Sequence, residues 1–159
     1  MTAALDLLQR TIDARIPIAR QLQARVASHR DGSLALAAPL APNVNHRGTA
    51  FAGSLNALAT LAGWGALWLL LHEAGLEGRI VLQDSAVRYL RPVTRDFTAR
   101  TIPFEPAAVE RLIVALRRRG RARLAVGVEI ADNGRPAVTF HGRYVVLAAG
   151  TADGDAGHE

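Results

Sequence analysis

The residues best suited to chemistry lie in a short segment that leads into a long apolar stretch. Residues 43–54 read Asn-Val-Asn-His-Arg-Gly-Thr-Ala-Phe-Ala-Gly-Ser, and the apolar stretch after them predicts a helix. The first backbone N–H groups of a helix have no intrahelical acceptor. With the positive end of the helix dipole, these donors could bind an anion or stabilise a developing oxyanion. Gly48 and Gly53 could instead serve a tight turn and close helix–sheet packing.

Two titratable side chains could act as a general base, His46 and Asp84. Histidine titrates near neutral pH, which suits proton transfer. Asp84 interrupts an otherwise apolar strand pattern, in step with Ile80 and Leu82, and a carboxylate there needs a partner or a catalytic task. Structural alternatives remain open. His46 could have a loop-capping or exposed role, and Asp84 could form an ion pair with Arg88 or a hydrogen bond to a neighbouring loop.

The sequence gives little support for catalysis by a covalent nucleophile, a thiolate or a metal ion. Ser54 and Thr60 could be nucleophiles, but no Ser-His-Asp arrangement accompanies them. The chain has no cysteine, which excludes thiolate chemistry and disulfides. Its five histidines lack the spacing typical of metal ligands, so we expect neither a metal nor a cofactor.

The long apolar stretch carries no charged residue between Arg47 and Glu73. This length could cross a bilayer, but small and polar residues interrupt it and no basic cluster flanks it. We therefore expect a buried core helix rather than a membrane span. The small and polar residues share one helical stripe: Gly53, Asn56, Thr60 and Gly63.

The flanking sequence predicts helices and strands around this core helix. Residues 2–14 predict a helix ended by Pro17, and residues 106–119 predict another that ends before Gly120. Alternating apolar residues predict six strands, the first two joined at Asp31-Gly32: around 22–26, 34–38, 80–90, 97–104, 121–130 and 137–147. The whole predicts one α+β domain over residues 1–148, followed by a disordered tail at 149–159.

The charge balance argues against nucleic acid as a partner. All 19 basic residues are arginine, yet the net charge is only +5 and aromatic residues make up 5% of the chain. The N-terminus lacks the pattern of a signal peptide, so we expect a cytoplasmic protein. Arg117, Arg119 and Arg121 could bind phosphate groups, or they could form the solvated end of a helix.

Several segments resemble one known family, the thioesterase family named for the YiiD C-terminal domain. The resemblance covers residues 5–147 and rests on five segments: 45–55, 61–65, 84–85, 88–93 and 119–123. It implies the hotdog fold, an antiparallel β-sheet wrapped around a long central helix. It also implies hydrolysis or binding of an acyl thioester of coenzyme A or acyl carrier protein, in a homodimer or a dimer of dimers.

The resemblance also assigns roles within the site. Gly53 matches the glycine whose N–H polarises the thioester carbonyl, and Asn45 matches an asparagine of the preceding loop. In the phenylacetate-type branch of the superfamily a His-Gly-Gly opens the helix and an acid follows, whereas Phe51 and Thr60 occupy those places here. We thus expect a hydrolase, with a non-catalytic acyl-binding domain as the alternative. The expected catalytic residues are Asn45, His46, Gly53 and Asp84, and the expected substrate contacts are Gly48, Phe51, Ser54, Asn56, Thr60, Arg117, Arg119 and Arg121.

Overall fold

A long helix lies against one face of a six-stranded antiparallel sheet in the computed structural model, which describes residues 2–150. The strand order is β1-β2-β4-β5-β6-β3, which confirms the α+β hotdog prediction. The helices are α1 (Ala3–Arg15), α2 (Pro17–Leu22), α3 (Ala52–Glu73) and α4 (Pro106–Arg119). The strands are β1 (Arg25–Arg30), β2 (Ser33–Ala38), β3 (Gly78–Tyr89), β4 (Phe97–Thr101), β5 (Arg121–Asp132) and β6 (Arg135–Ala148). One 3₁₀ turn (Ala41–Asn43) precedes α3.

Most of the circumference of the central helix α3 is buried, and this burial accounts for the apolar composition of the segment. It is the helix of residues 2–150 whose length and composition would also suit a membrane span, and 61% of its most apolar window is buried inside the protein. The apolar window therefore belongs to a core helix. One line of partly or fully exposed residues remains along it: Gly53, Asn56, Ala57, Thr60, Trp64 and Trp68.

Gly63 lies off this line, contrary to the predicted stripe. It is buried, and a Cβ at this position would overlap the hydroxyl group of Tyr144. Gly63 therefore allows the sheet to approach the helix closely and is not available to a substrate.

Most predicted elements are confirmed, with shifts at their ends that have local causes. Pro17 does more than end α1, because it opens α2 at a first-turn position that suits its fixed φ. Gln23 has a φ of 55°, and the chain turns there before β1 begins at Arg25. β4 ends at Thr101, before Pro103. Of the predicted disordered tail, residues 151–159 lie outside the described residues.

A bulge in β3 changes which face Asp84 occupies. The register with β6 shifts between Leu82 and Asp84, so that Gln83 is the extra residue. Leu82 lies opposite the buried Tyr144, whereas Asp84 lies opposite the exposed Arg143. The prediction that Asp84 shares a face with Leu82 is therefore wrong, and Asp84 points to the outer face of the sheet.

Candidate functional site at the start of the central helix

Asn45 organises the loop that precedes α3. Its Nδ2 donates to Thr49 Oγ1 at 2.8 Å and to the Ala50 carbonyl at 3.4 Å. Its Oδ1 accepts from the N–H groups of Arg47 at 2.8 Å and Thr49 at 3.2 Å. Gly48, with a φ of 77°, turns the chain inside this network. All the hydrogen-bonding capacity of the Asn45 side-chain amide is used within the loop, so this side chain fixes the shape of the loop.

The helix itself begins without a capping side chain. Phe51 is the N-cap residue, and its N–H donates to the Asn43 carbonyl at 2.7 Å. The first helical bond runs from the Leu55 N–H to the Phe51 carbonyl. The N–H groups of residues 52–54 have no acceptor within the described part of the chain, and Gly53 is exposed. Three convergent donors are therefore open to a ligand at the positive end of the dipole.

Two aromatic side chains border these donors. The Phe51 ring lies over Gly53, where a Cβ would overlap it, and 54% of Phe51 is exposed. The Tyr89 hydroxyl, at the end of β3, donates to the Ala52 carbonyl at 3.3 Å. The loop joins the segment after β3 through the Ala50 N–H, which donates to the Val93 carbonyl at 2.8 Å. Tyr89 was not predicted as a site residue, although it stands inside the motif at 88–93.

A cavity of about 240 Å³ lies along α3 from Ala57 to Trp64, about one turn after the helix start. Thr60 lines the cavity, and the Thr60 backbone carbonyl accepts a hydrogen bond of 2.7 Å from the Tyr144 hydroxyl. Burial raises the pKa of Tyr144, so its phenol remains a neutral donor. Asn56 lies one turn before Thr60, and its buried Oδ1 has no partner within residues 2–150. The cavity is lined by Ile16, Ile18, Leu22, Ala57, Thr60, Leu61, Trp64, Leu82 and Tyr144.

The two candidate bases lie in different environments. His46 is exposed in the loop directly after Asn45. Asp84 is about half exposed and accepts hydrogen bonds from Arg143 Nε, at 2.9 Å, and from Arg143 Nη2. It precedes Tyr89 by five residues, roughly 16 Å along the strand. Within one chain, Asp84 is therefore remote from the start of α3, whereas His46 lies in the loop that leads into it. The described residues include no cluster of three metal-ligating side chains.

The predicted phosphate-binding arginines lie at the opposite end of the sheet. Arg121 begins β5 and pairs with Leu147, which in turn pairs with Arg79 at the start of β3. The helix start lies beside Tyr89, at the far end of β3. From Arg121 to Ile130, at that same far end, β5 rises roughly 30 Å. Arg117 and Arg119 are exposed in the last turn of α4, beside Arg121. Within one chain, the structure thus separates these arginines from Gly53.

Solved structures of other proteins are similar in fold to this chain. A "putative thioesterase from Shewanella oneidensis" is 33% identical, with a TM-score of 0.80 over 92% of this chain and 99% of that chain. A protein of unknown function from Chlorobaculum tepidum is 26% identical, with a TM-score of 0.88 over 92% and 99%. A thioesterase from Haemophilus influenzae, at 18% identity and a TM-score of 0.75 over 97% of each chain, shares the fold.

The sheet, the enclosed helix and the open helix start define a hotdog protein of the thioesterase type. A family model described as "Putative thioesterase (yiiD_Cterm)" matches residues 5–148. The chain belongs to this family, as the motifs in its sequence indicated.

Proposed function

We propose that this protein hydrolyses acyl thioesters of coenzyme A or acyl carrier protein. The observation that carries the proposal is the uncapped start of α3, where the N–H groups of residues 52–54 are open beside an apolar cavity. Hydrolysis needs a polarised carbonyl, a placed water molecule and a base. Donors that are already oriented towards a developing oxyanion stabilise it without reorganisation. An apolar cavity next to them suits the acyl chain.

Gly53 is the donor to the thioester oxygen in this mechanism. Because Gly53 lacks a Cβ, the Phe51 ring can lie against its backbone, and the exposed Gly53 is reached from solvent beside that ring. Asn45 holds the loop in shape, and Gly48 provides its turn. Ser54 contributes the next free N–H. Asn56 and Thr60 then follow along the exposed line of α3, towards the acyl chain.

His46 is the base that the geometry of a single chain favours. It follows Asn45 in the loop and could take a proton from water at the helix start. Asp84 forms an ion pair with Arg143 on the outer face. It could therefore act as the base only at a site shared by two subunits, where one subunit provides the helix start and the other provides Asp84.

A homodimer would provide such a second subunit. The support for it is β3, which is the last strand of the sheet and leaves one edge without a neighbouring strand among residues 2–150. Val81 and Tyr89 on this strand are each 49% exposed. A long, partly apolar edge is a template for pairing with another chain.

We also propose that the protein acts in the cytoplasm.

The arginine cluster has a more restricted role in this proposal. The thioester of a substrate at Gly53 lies at the other end of the sheet from Arg117, Arg119 and Arg121. These side chains could therefore bind the phosphates of that substrate only from another subunit. Otherwise they form a solvated helix end, where the dipole favours cations.

A non-catalytic acyl-binding domain is the second candidate. Thr60 stands where related hydrolases are expected to carry an acid, and Asp84 is held by Arg143. A protein of this kind would bind acyl thioesters at the same helix start without turning them over.

Thiol release from a panel of acyl-CoA and acyl carrier protein substrates tests the proposal. Comparison of the parent with His46→Ala, Asp84→Ala and Asn45→Ala separates the residue roles. We expect turnover by the parent and the main loss of kcat in His46→Ala. A loss confined to Asp84→Ala would assign the base to Asp84, and saturable acyl-CoA binding without turnover would favour the second candidate. Equal rates in all variants would contradict the residue assignments.

A further inference from the structure

The cavity beside α3 is an apolar groove that is partly open to solvent, and we call it the acyl chamber. One wall comes from α3 through Ala57, Leu61 and Trp64. The opposite wall comes from Ile16, Ile18 and Leu22, at the end of α1 and in α2, and the remaining side from Leu82 and Tyr144. The Tyr144 hydroxyl is already bonded to the Thr60 carbonyl. The lining is therefore almost entirely apolar, as a hydrocarbon chain requires.

Positions in the chamber can be measured as distances along the α3 axis from Gly53, and we call this scale the ruler. Ala57, at the near end, is four residues from Gly53, which corresponds to roughly 6 Å along the axis at 1.5 Å per residue. Trp64, at the far end, is eleven residues away, or roughly 16 Å. An extended hydrocarbon chain advances about 1.3 Å per carbon, given carbon–carbon bonds of about 1.5 Å. A chain whose carbonyl meets the Gly53 N–H would therefore enter the chamber near its fifth carbon and reach Trp64 near its twelfth.

The volume of the chamber gives the same estimate of acyl-chain length. It measures about 240 Å³. A methylene group is close in size to a water molecule, whose share of liquid volume is about 30 Å³. The chamber therefore holds about eight carbons, which is the number that lies between the fifth and the twelfth carbon on the ruler.

We propose that Trp64 sets the upper limit of acyl-chain length, and that the preferred substrate carries an unbranched chain of about ten to twelve carbons. This proposal rests on the proposed function in one respect, because the carbonyl at Gly53 defines the start of the ruler. Trp64 is the last residue of α3 in the chamber lining, so a longer chain must bend out into solvent or displace the indole ring. Trp64 is thus a specificity-determining residue and takes no part in bond breaking.

Binding of acyl-CoA analogues with 6 to 16 acyl carbons, in which a methylene between the sulfur and the carbonyl prevents hydrolysis, tests the ruler without turnover. Trp64 and Trp68 are the two tryptophans of the chain, so Trp68→Phe leaves Trp64 as the sole indole fluorophore. We expect affinity to rise about fourfold for each methylene that enters the chamber, up to about twelve carbons, and Trp64 fluorescence to change over the same range. Affinity that does not depend on chain length, or a Trp64 signal that does not respond, would overturn the proposal.

Two variants locate the limit, and one control matches the first. Trp64→Ala opens the far end, so we expect the preferred length, measured by calorimetry, to increase by roughly two to four carbons. Trp68→Ala removes the same side chain one turn further along the exposed line, outside the chamber, and should leave the preferred length unchanged. An unchanged length in Trp64→Ala, or an equal shift in Trp68→Ala, contradicts the assignment.

Ala57→Leu provides a test that does not depend on how well Trp64→Ala folds. It fills the near end of the chamber, so chains longer than about six carbons should lose affinity while shorter ones retain it. Uniform loss at every length would overturn the proposal. If chain-length dependence is found in binding but no thioester is hydrolysed, the chamber assignment stands and the proposed hydrolysis fails.

Discussion

Two glycines ten residues apart on the same helix lie in opposite environments. Gly53, at the open start of α3, is exposed and its N–H has no acceptor among residues 2–150. Gly63, in the middle of α3, is buried against the Tyr144 hydroxyl. The missing Cβ makes room for the half-exposed Phe51 ring at Gly53 and allows the sheet to reach the helix at Gly63. One residue type thus provides the candidate site at one position and the packing of the core at the other.

The comparison also shows how the fold supports a site without burying it. The middle of α3 is held by the sheet on most sides, and Tyr144 ties a strand directly to the helix backbone at Thr60. This rigid part fixes the direction of the first turn, where the free donors lie. Changes at Gly53 should therefore affect activity, and changes at Gly63 should affect stability.

Removal of the Gly53 N–H should have the largest effect of these changes, and it should appear as a loss of catalytic rate. Gly53→Pro deletes the donor in the first helical turn, where proline is tolerated better than in the helix interior. We expect kcat to fall about 10² to 10³-fold, as for other single oxyanion donors. Gly53→Ala is the matched control, because it adds a Cβ against Phe51 and keeps the N–H. The role of the N–H would be refuted if both variants lost the same activity in thiol-release assays.

A methyl group at Gly63 should mainly destabilise the fold. Gly63→Ala forces the Tyr144 ring away from the helix, at an overpacking cost towards the upper end of about 1–3 kcal/mol. The better helix propensity of alanine offsets about 1 kcal/mol of this, so urea unfolding should show a net loss of about 2 kcal/mol. In a Tyr144→Phe background the loss should shrink, because the overlapping hydroxyl is gone. An undiminished loss there would contradict the contact.

Loss of the Tyr144 hydroxyl should cost about 1 kcal/mol, the typical value of one hydrogen bond. The pKa of Tyr144 is raised by burial in the folded state, so its stabilising contribution is fully present below the unfolded value near 10. It is lost as the pH rises above 10, because the unfolded phenol ionises first. Unfolding at pH 8 and pH 11 should therefore show a smaller difference between the parent and Tyr144→Phe at pH 11. A difference that grew with pH would reverse this sign.

Disruption of the outer-face ion pair should have the smallest effect on stability. Asp84 and Arg143 are both about half exposed, and such pairs contribute at most about 1 kcal/mol. Asp84→Asn should therefore change the unfolding free energy by less than this, and less still at high salt. A loss of several kcal/mol would mean that Asp84 is buried by a partner, and that its surroundings differ from those in a single chain.

Patterns of residues within a single element could be predicted from the sequence. The uncharged window predicts α3, the Asp31-Gly32 turn predicts the first hairpin, and the apolar spacing with Gly120 as its stop predicts α4 over the observed residues. These elements follow from local periodicity and turn chemistry. The family motifs, which add information that periodicity lacks, pointed to the enclosed helix and to Gly53.

Features that depend on pairing between elements could not be read from the sequence. The bulge at Gln83 turns Asp84 to the outer face, and a strand pattern alone does not show where a register shift occurs. Gly63 shares the helical spacing of Gly53 and Thr60, but the Tyr144 side chain that covers it comes from 81 residues further along the chain. The distance between the arginine cluster and Gly53 likewise depends on strand order.

The most direct test of the account is the response of the Gly53 amide to a substrate analogue. An acyl-CoA analogue with a methylene between the sulfur and the carbonyl cannot be hydrolysed but keeps the carbonyl oxygen. In ¹H–¹⁵N spectra, its titration should move the Gly53 amide proton downfield as a hydrogen bond forms, with smaller changes at residues 52 and 54. Saturable binding that leaves the Gly53 amide unchanged would contradict the central claim that this N–H receives the thioester oxygen.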